Sequence, residues 1–222
     1  MTNIIDLSMK EKVYRKRSSR TSILQDFCLT VAEREKVAII GESGVGKSSL
    51  LNILGLIDTA YSGSYTLFGT CTRKLSSREM STWRNQKIGF VLQESALINS
   101  LTIEDNIKLP MLYSRSLSNG ESRSFEDIVD SIGIGYILKK KPLECSGGEK
   151  ARAVFARAVI MNPDLILADE PTSSLDSENK SKIINLLLDM NRNFGSTLVT
   201  VTHDAEFAQQ HDRVISLKRK VR

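Results

Sequence analysis

No stretch of this 222-residue chain approaches the roughly 18 uninterrupted apolar residues that a membrane span needs, which excludes a transmembrane protein. Cysteine is scarce. Cys28, Cys71 and Cys145 are odd in number and far apart, so neither a disulfide framework nor a metal-ligand spacing is present and reduced thiols are expected. Internal repeats and low-complexity tracts are absent. Hydrophobic residues at 41% and charged residues at 26% sit near the globular average, which excludes a collagen and a disordered chain. Met1 to Lys10 carries Asp6 and lacks an apolar run, so it does not read as a secretory signal, and the chain is expected in the cytoplasm.

Acidic residues fall short of basic ones by five, and the imbalance is local. Residues 10 to 20 hold Lys10, Lys12, Arg15, Lys16, Arg17 and Arg20 against Glu11, and residues 213 to 222 hold Arg213, Lys218, Arg219, Lys220 and Arg222. Without these two segments the body is mildly acidic. Such runs can touch nucleic acid or an anionic membrane surface, but solvated edges are the commoner reading.

Alternation in Ile23 to Val31 and the apolar run Val37 to Ile40 predict strands separated by the polar turn Glu33 to Lys36. Three more apolar runs, Ile88 to Leu92, Leu165 to Ala168 and Leu198 to Val201, each lead into polar residues and a helical pattern. That alternation predicts an α/β domain with a parallel core, fed by an antiparallel β portion near the N-terminus. Strand signals vanish between Gln93 and Ser146. Thr102 with Asp105 and Ser124 with Asp127 have capping-box spacing, so this middle third is expected to be helical, with Ser114 to Arg123 as an exposed turn.

Gly41-Glu42-Ser43-Gly44-Val45-Gly46-Lys47-Ser48 satisfies the phosphate-loop pattern GxxxxGK(S/T), after the predicted strand Val37 to Ile40 and before an apolar helix from Ser49 to Leu56. Glycines let the backbone wrap closely enough for amide N–H groups to meet phosphate oxygens, Lys47 reaches the outer phosphates, and the Ser48 hydroxyl binds Mg²⁺. Chance matches arise in only roughly 1% of chains this long, given average glycine usage. Leu165 to Ala168 then runs into Asp169 and Glu170. Neighbours on a pleated strand face opposite sides, so the two carboxylates should play different parts, one in the Mg²⁺ shell and one facing the water that attacks the γ-phosphate. Alone, such a pair more often caps the next helix. Cys145-Ser146-Gly147-Gly148-Glu149 opens a helical run from Lys150 to Met161, and its serine and glycines make a second candidate anion site.

This set of motifs resembles the ATP-binding cassette (ABC) ATPases over essentially the whole chain. The resemblance implies a single domain, with residues 1–93 and 146–222 forming the phosphate-loop core with its β portion and about 94–145 an inserted helical subdomain. It implies ATP and Mg²⁺ as ligands, with Gly41 to Ser49 on the phosphates, Asp169 in the metal shell and Glu170 polarising the attacking water. Gln93 is similar to the glutamine that joins the Mg²⁺ site to the helical subdomain and the membrane partner. His203 is similar to the histidine that contacts the γ-phosphate, and Ser174-Leu175-Asp176 to the loop that communicates across a dimer. Ser146, Gly147, Gly148 and Glu149 resemble the signature motif that contacts the γ-phosphate held by the other subunit. Tyr14 is similar to the aromatic that stacks on adenine, with an ordinary strand tyrosine as the alternative.

Asn52-Ile53-Leu54-Gly55 with Ser62-Gly63, Ile88 to Gln93, and Leu167 to Thr172 look most like one branch, that of the lipoprotein-release, macrolide-export and antimicrobial-peptide-export ATPases together with the cell-division ATPase. The partners implied are integral membrane permease subunits and a second cassette, in a homodimer or heterodimer, with no nucleic acid. The implied location is the inner face of the cell membrane. Two other functions fit the same motifs: mechanical signalling without transport, and a module that senses ATP without hydrolysing it. The chain departs from the family pattern at Cys145, usually leucine, at Lys150 and Ala151, usually glutamines, at Ser173 and Ser174, and at Ser49, usually threonine. None of these changes removes a phosphate, metal or water ligand.

Overall fold

Apolar residues at every second position build the first sheet. In a computed structural model, which describes residues 2–16, 19–92, 97–114 and 124–218, the chain opens with β1 (Asn3–Lys16) and β2 (Ser19–Ala32), an antiparallel pair. Ile5, Leu7 and Met9 of β1 are buried while Asp6, Ser8 and Lys10 between them face solvent. The apolar run β3 (Lys36–Ile40) follows, then α1 (Lys47–Leu54), β4 (Ser62–Leu67), β5 (Thr70–Cys71) and α2 (Ser77–Gln86). β4 pairs antiparallel with β1 and β5 with β4, so the antiparallel sheet has the order β2-β1-β4-β5 and draws strands from both sides of the phosphate loop.

The second sheet is parallel throughout. After β6 (Ile88–Val91) the chain forms α3 (Ile103–Leu112), α4 (Phe125–Ile132) and α5 (Gly147–Val159). It then returns as β7 (Leu165–Asp169), α6 (Ser177–Phe194), β8 (Thr197–Val201), α7 (Ala205–Ala208) and β9 (Arg213–Ser216). The strand order is β6-β7-β8-β3-β9. Side chains divide between two cores by the pleat: Ile166, Ala168 and Leu198 pack with α3 to α6, whereas Leu165, Leu167, Val199 and Val201 pack with α1 and the antiparallel sheet. A strand buried on both faces has no polar positions to alternate, which is why β7 reads as a continuous apolar run.

Both expected capping boxes form. Asp105 N–H donates to Thr102 Oγ1 at 3.1 Å and Asp127 N–H to Ser124 Oγ at 3.0 Å, each carboxylate accepting from the cap backbone in return. The predicted strand Ile23 to Val31 is the second half of a longer β2; β1 was not marked despite its alternation, and β4, β5, α2 and β9 carried signals too short or too polar to mark them. α2 buries no residue fully and is fixed at its start by a Ser76–Glu79 capping box. The basic runs are not uniformly solvated. Lys12 is buried, and Arg213 bonds to Glu35 Oε1 at 3.0 Å and to the Thr30 carbonyl. Residues 115–123, most of the predicted turn, lie outside the described residues.

Asn106 joins the chain beyond β6 to α3. Fully buried, it accepts from Ile98 N–H at 2.7 Å and donates to the carbonyls of Ile98 at 3.1 Å and Thr102 at 2.9 Å. Asn106→Ala leaves the Ile98 N–H without its acceptor, while the Ile98 and Thr102 carbonyls keep the backbone N–H groups of Leu101 and Asn106, and urea unfolding should show a loss of about 1–3 kcal/mol. Wild-type stability would remove Asn106 as the tie between the two segments.

Candidate functional site

The loop between β3 and α1 turns on two glycines in the left-handed region, Gly44 at φ +74° and Gly46 at φ +108°, a path that side-chain-bearing residues rarely take. Gly41 is required for space: a Cβ there would lie 2.5 Å from the Leu217 carbonyl oxygen, in the segment beyond β9 that itself bonds to Ile40 at 2.8 Å. Val45 buries its side chain in the core and anchors the loop from beneath. Lys47, the first residue of α1, folds its ammonium across the loop and donates to the carbonyls of Gly41 at 2.7 Å and Glu42 at 3.0 Å. Glycine-rich turns of this kind leading into a helix gather N–H groups and positive potential for an anion.

A cavity of about 500 Å³ opens here, lined by Gly41, Ser43, Gly44, Gly46, Lys47, Ser48, Ser49, Asp169, Glu170 and His203. β7 delivers Asp169 as its last residue, and Glu170 then takes φ +47°. The pleat argument that would send these carboxylates to opposite sides fails here, because the strand has ended and the left-handed residue brings both onto one cavity. A non-glycine residue so placed costs of order 1–3 kcal/mol. Glu170 N–H donates to the Val201 carbonyl at 2.9 Å, and its own carbonyl accepts from Ser173 N–H at 3.2 Å and Ser173 Oγ at 3.1 Å, which hold the conformation.

His203 follows β8. Its Nδ1 lies 2.7 Å from Glu170 Oε2, and its backbone N–H donates to the same oxygen at 3.3 Å. Glu170 is 14% exposed and His203 69%, so the carboxylate is the sheltered member of the pair. On one side of His203, Thr202 N–H bonds to Ile39 O at 3.2 Å. On the other, Asp204 caps α7 and pairs with Lys180 at 2.6 Å.

Ser146 to Glu149 sit elsewhere in the chain and line no part of that cavity. Ser146 caps α5, accepting from Glu149 N–H at 3.3 Å, while Glu149 accepts from Ser146 N–H at 2.7 Å. That backbone hydrogen bond holds the Glu149 carboxyl below the usual carboxylate range. Gly147 faces open space, whereas a Cβ on Gly148 would meet the Asn179 side chain at 2.3 Å. Asn179 Nδ2 donates to Asp176 Oδ2 at 2.7 Å, and Arg152 Nη1 donates to Asn179 Oδ1 at 2.7 Å. Asp176 thereby serves as the cap of α6, its carboxyl lowered first by the Asn179 backbone N–H and then by the Asn179 side chain.

Cys145 is buried against the core around α5, and burial, then the nearby Glu149, pushes its thiol up, so it stays protonated and acts as packing. Asn179 and Arg152 belong to no sequence motif, and the signal that points to Asn179 is its place three residues after the helix-capping Asp176. Gln93 lies outside the described residues, as does the side chain of Tyr14, whose backbone pairs with Thr21 in the hairpin.

Among the described residues no three His, Cys, Asp or Glu side chains gather into a metal cage. Ser48 and Asp169 on one cavity supply two oxygen donors, which suits Mg²⁺: it takes one or two protein oxygens and completes its shell with phosphate oxygens and water.

The sequence family described as ABC transporter matches residues 24–173. The chain is 36% identical over 219 residues to the lipoprotein-releasing system ATP-binding protein LolD of Psychrobacter arcticus, covering 98% of this chain and 97% of that protein. It is 39% identical over 215 residues to the macrolide export ATP-binding/permease protein MacB 1 of Aeromonas hydrophila subsp. hydrophila, covering 97% of this chain. The chain spans about a third of the length of the MacB proteins it matches. Among solved structures it superposes with TM-score 0.88 and 36% identity on a dimeric post-hydrolysis state of the ATP-binding cassette MJ0796 bound to ADP and Pi, over 96% of this chain and 94% of that one.

Lys47→Ala removes the ammonium set across the loop and should abolish tight ATP binding. Wild-type affinity in an equilibrium nucleotide-binding assay would overturn the assignment of this cavity.

Proposed function

Because this chain belongs to the ABC transporter family of ATP-binding cassettes, we propose that it is the ATP-hydrolysing subunit that energises export or extraction by separate membrane subunits. The observation that carries this reading is the convergence of Lys47, Ser48, Asp169, Glu170 and His203 on one cavity. The domain organisation that goes with it is a phosphate-loop core of residues 1–93 and 146–222 around a helical subdomain at about 94–145.

In this reading Lys47 exchanges the Gly41 and Glu42 carbonyls for the outer phosphate oxygens of ATP, and the loop amides hold the rest of the triphosphate. Ser48 and Asp169 would hold Mg²⁺, with Gln93 as a further ligand, and the ion would supply positive charge beside the transferring phosphoryl group. Glu170 accepts a hydrogen bond from the attacking water and aligns it with the γ-phosphorus. The sheltered position of its carboxylate, with one oxygen already held by His203, restricts its orientation and favours that alignment. His203, largely exposed, is free to turn its other ring nitrogen towards the γ-phosphate. Tyr14 stacks on the adenine.

A single chain leaves Ser146, Gly147 and Gly148 away from its own cavity, which suits a head-to-tail dimer in which each signature motif closes the other chain's site. A helix start at Ser146 then adds N–H groups and a hydroxyl to γ-phosphate charge that one subunit leaves in water. No helix among the described residues is long and apolar enough to cross a membrane. The contact with a membrane partner falls on the helical segment beyond β6, where Ile98, Leu112, Tyr113 and Leu143 keep apolar side chains exposed. The site of action is the inner face of the membrane, and the cargo class is that of the lipoprotein, macrolide and antimicrobial-peptide branch.

Glu170→Gln should bind ATP, stop before hydrolysis and run as a dimer in size-exclusion chromatography with Mg²⁺ and ATP. Adding Ser146→Arg places bulk and a misdirected cation in the shared phosphate site and should return the protein to a monomer. Full hydrolysis by Glu170→Gln would refute the role of Glu170. Persistence of the dimer in the double variant would refute the role of the signature motif.

A further inference from the structure

The first hairpin is supported unevenly along its length. β2 accompanies β1 from Asn3↔Ala32 to Lys16↔Ser19, but β4 borders the other edge only from Ile5↔Leu67 to Glu11↔Ser62. Past Glu11 the three-stranded sheet becomes a two-stranded ribbon, a unit that is marginal by itself in water. Lys12 stands at this step. It is 2% exposed, its Nζ lies 2.5 Å from Asp58 Oδ2, and it donates to the Ala60 carbonyl at 2.8 Å. A lysine out of solvent needs such a partner to remain charged. The side chain replaces, by an ion pair and a hydrogen bond, the edge that β4 no longer provides. The pairing register also shifts between Lys12 and Val13, from Lys12↔Leu24 to Val13↔Ser22.

Asp58 is itself tied to the phosphate-loop helix. The backbone N–H groups of Ile57 and Asp58 both donate to Asn52 O, at 2.8 and 3.0 Å, and Asn52 is in α1, the helix that Lys47 begins. Asp58 Oδ1 accepts from Ala60 N–H at 2.9 Å, which fixes the turn that offers both the carboxylate and the Ala60 carbonyl to Lys12. A continuous set of short contacts thus runs from α1 through Asp58 to Lys12, two residues before Tyr14.

We propose that Lys12 and Asp58 are a positioning pair that fixes the base-contacting part of the hairpin relative to the phosphate loop, so that the pair governs recognition of the nucleotide base and leaves recognition of the phosphates alone. This rests on the reading of Tyr14 as the adenine contact. Neither side chain lines the phosphate cavity. Their effect is transmitted through the placement of the strand.

The test compares ATP with inorganic tripolyphosphate, each with Mg²⁺, by equilibrium binding to the full chain. Lys12→Met should raise the Kd for ATP by roughly 5- to 150-fold, the span expected when aromatic stacking on a base is lost. The Kd for tripolyphosphate should stay within about two-fold, since a lone phosphate chain makes no base contact for the pair to govern. Asp58→Asn should show the same split, and the exchanged pair Lys12→Asp with Asp58→Lys should recover part of the ATP affinity. Combined with Tyr14→Ala, Lys12→Met should add little, because both remove one contact. Equal loss of ATP and tripolyphosphate would make the pair merely structural and overturn the proposal, as would unfolding of both single variants by circular dichroism. Unchanged ATP affinity in Tyr14→Ala removes the base-contact reading itself. Weakened ATP binding in Tyr14→Ala beside wild-type binding in Lys12→Met removes the positioning pair alone.

Discussion

Strands β3, β7 and β8 are buried on both faces, and the need to cover both faces at once governs where everything else lies. Helices α3 to α6 take one face, and α1 with the antiparallel sheet takes the other. With all five strands parallel, their C-terminal ends fall along one edge. The phosphate loop after β3, Asp169 and Glu170 after β7, and His203 after β8 meet on that edge because the sheet brings three strand ends together. A buried sheet of Val, Ile and Leu fixes positions that loops of similar length could not hold by themselves.

Local strain at the edge is offset by ordinary hydrogen bonds. The left-handed backbone of Glu170 costs of order 1–3 kcal/mol, and its bonds to Val201 and Ser173 return about 1 kcal/mol each. The two are of similar size, so the conformation is held by β8 on one side and by the turn at Ser173 on the other. It also turns a residue that would have faced the far side of the sheet towards the phosphate loop. Lys47 follows the same pattern, since its ammonium has two carbonyl partners across the glycine-rich loop.

Much of this was legible in the sequence, and the gaps have physical causes. Phosphate-loop spacing and the run Leu165 to Glu170 were clear, because burial on both faces leaves uninterrupted apolar letters and because glycine at φ +74° and +108° has no substitute of equal cost. The capping boxes at Thr102 and Ser124 were equally plain. β1 was missed although Ile5, Leu7 and Met9 alternate with Asp6, Ser8 and Lys10, the pattern of a half-buried strand, whereas β4 was obscured because Gly63, two serines and a threonine dilute it. The shared cavity of Asp169 and Glu170 could not be read from pleat geometry, since a positive φ on glutamate has no sequence signature. Lys12 looked like one member of a solvated charge run. Only its partner, 46 positions away, shows otherwise.

The meeting of α5 with α6 bears on how such proteins can be recombined. Gly148 lies against Asn179, Asn179 is held by Asp176, and Arg152 reaches from α5 to Asn179 and on to the Tyr136 hydroxyl at 3.2 Å. The start of one helix is therefore the floor for the start of the other, with no room for a single methyl group between them. Ser146-Gly147-Gly148 and Leu175-Asp176 behave as one exchangeable block. A chimera that takes α5 from a relative and keeps its own α6 joins two surfaces that were never shaped for each other. The natural crossover point lies beyond Asn179, not at the end of α5.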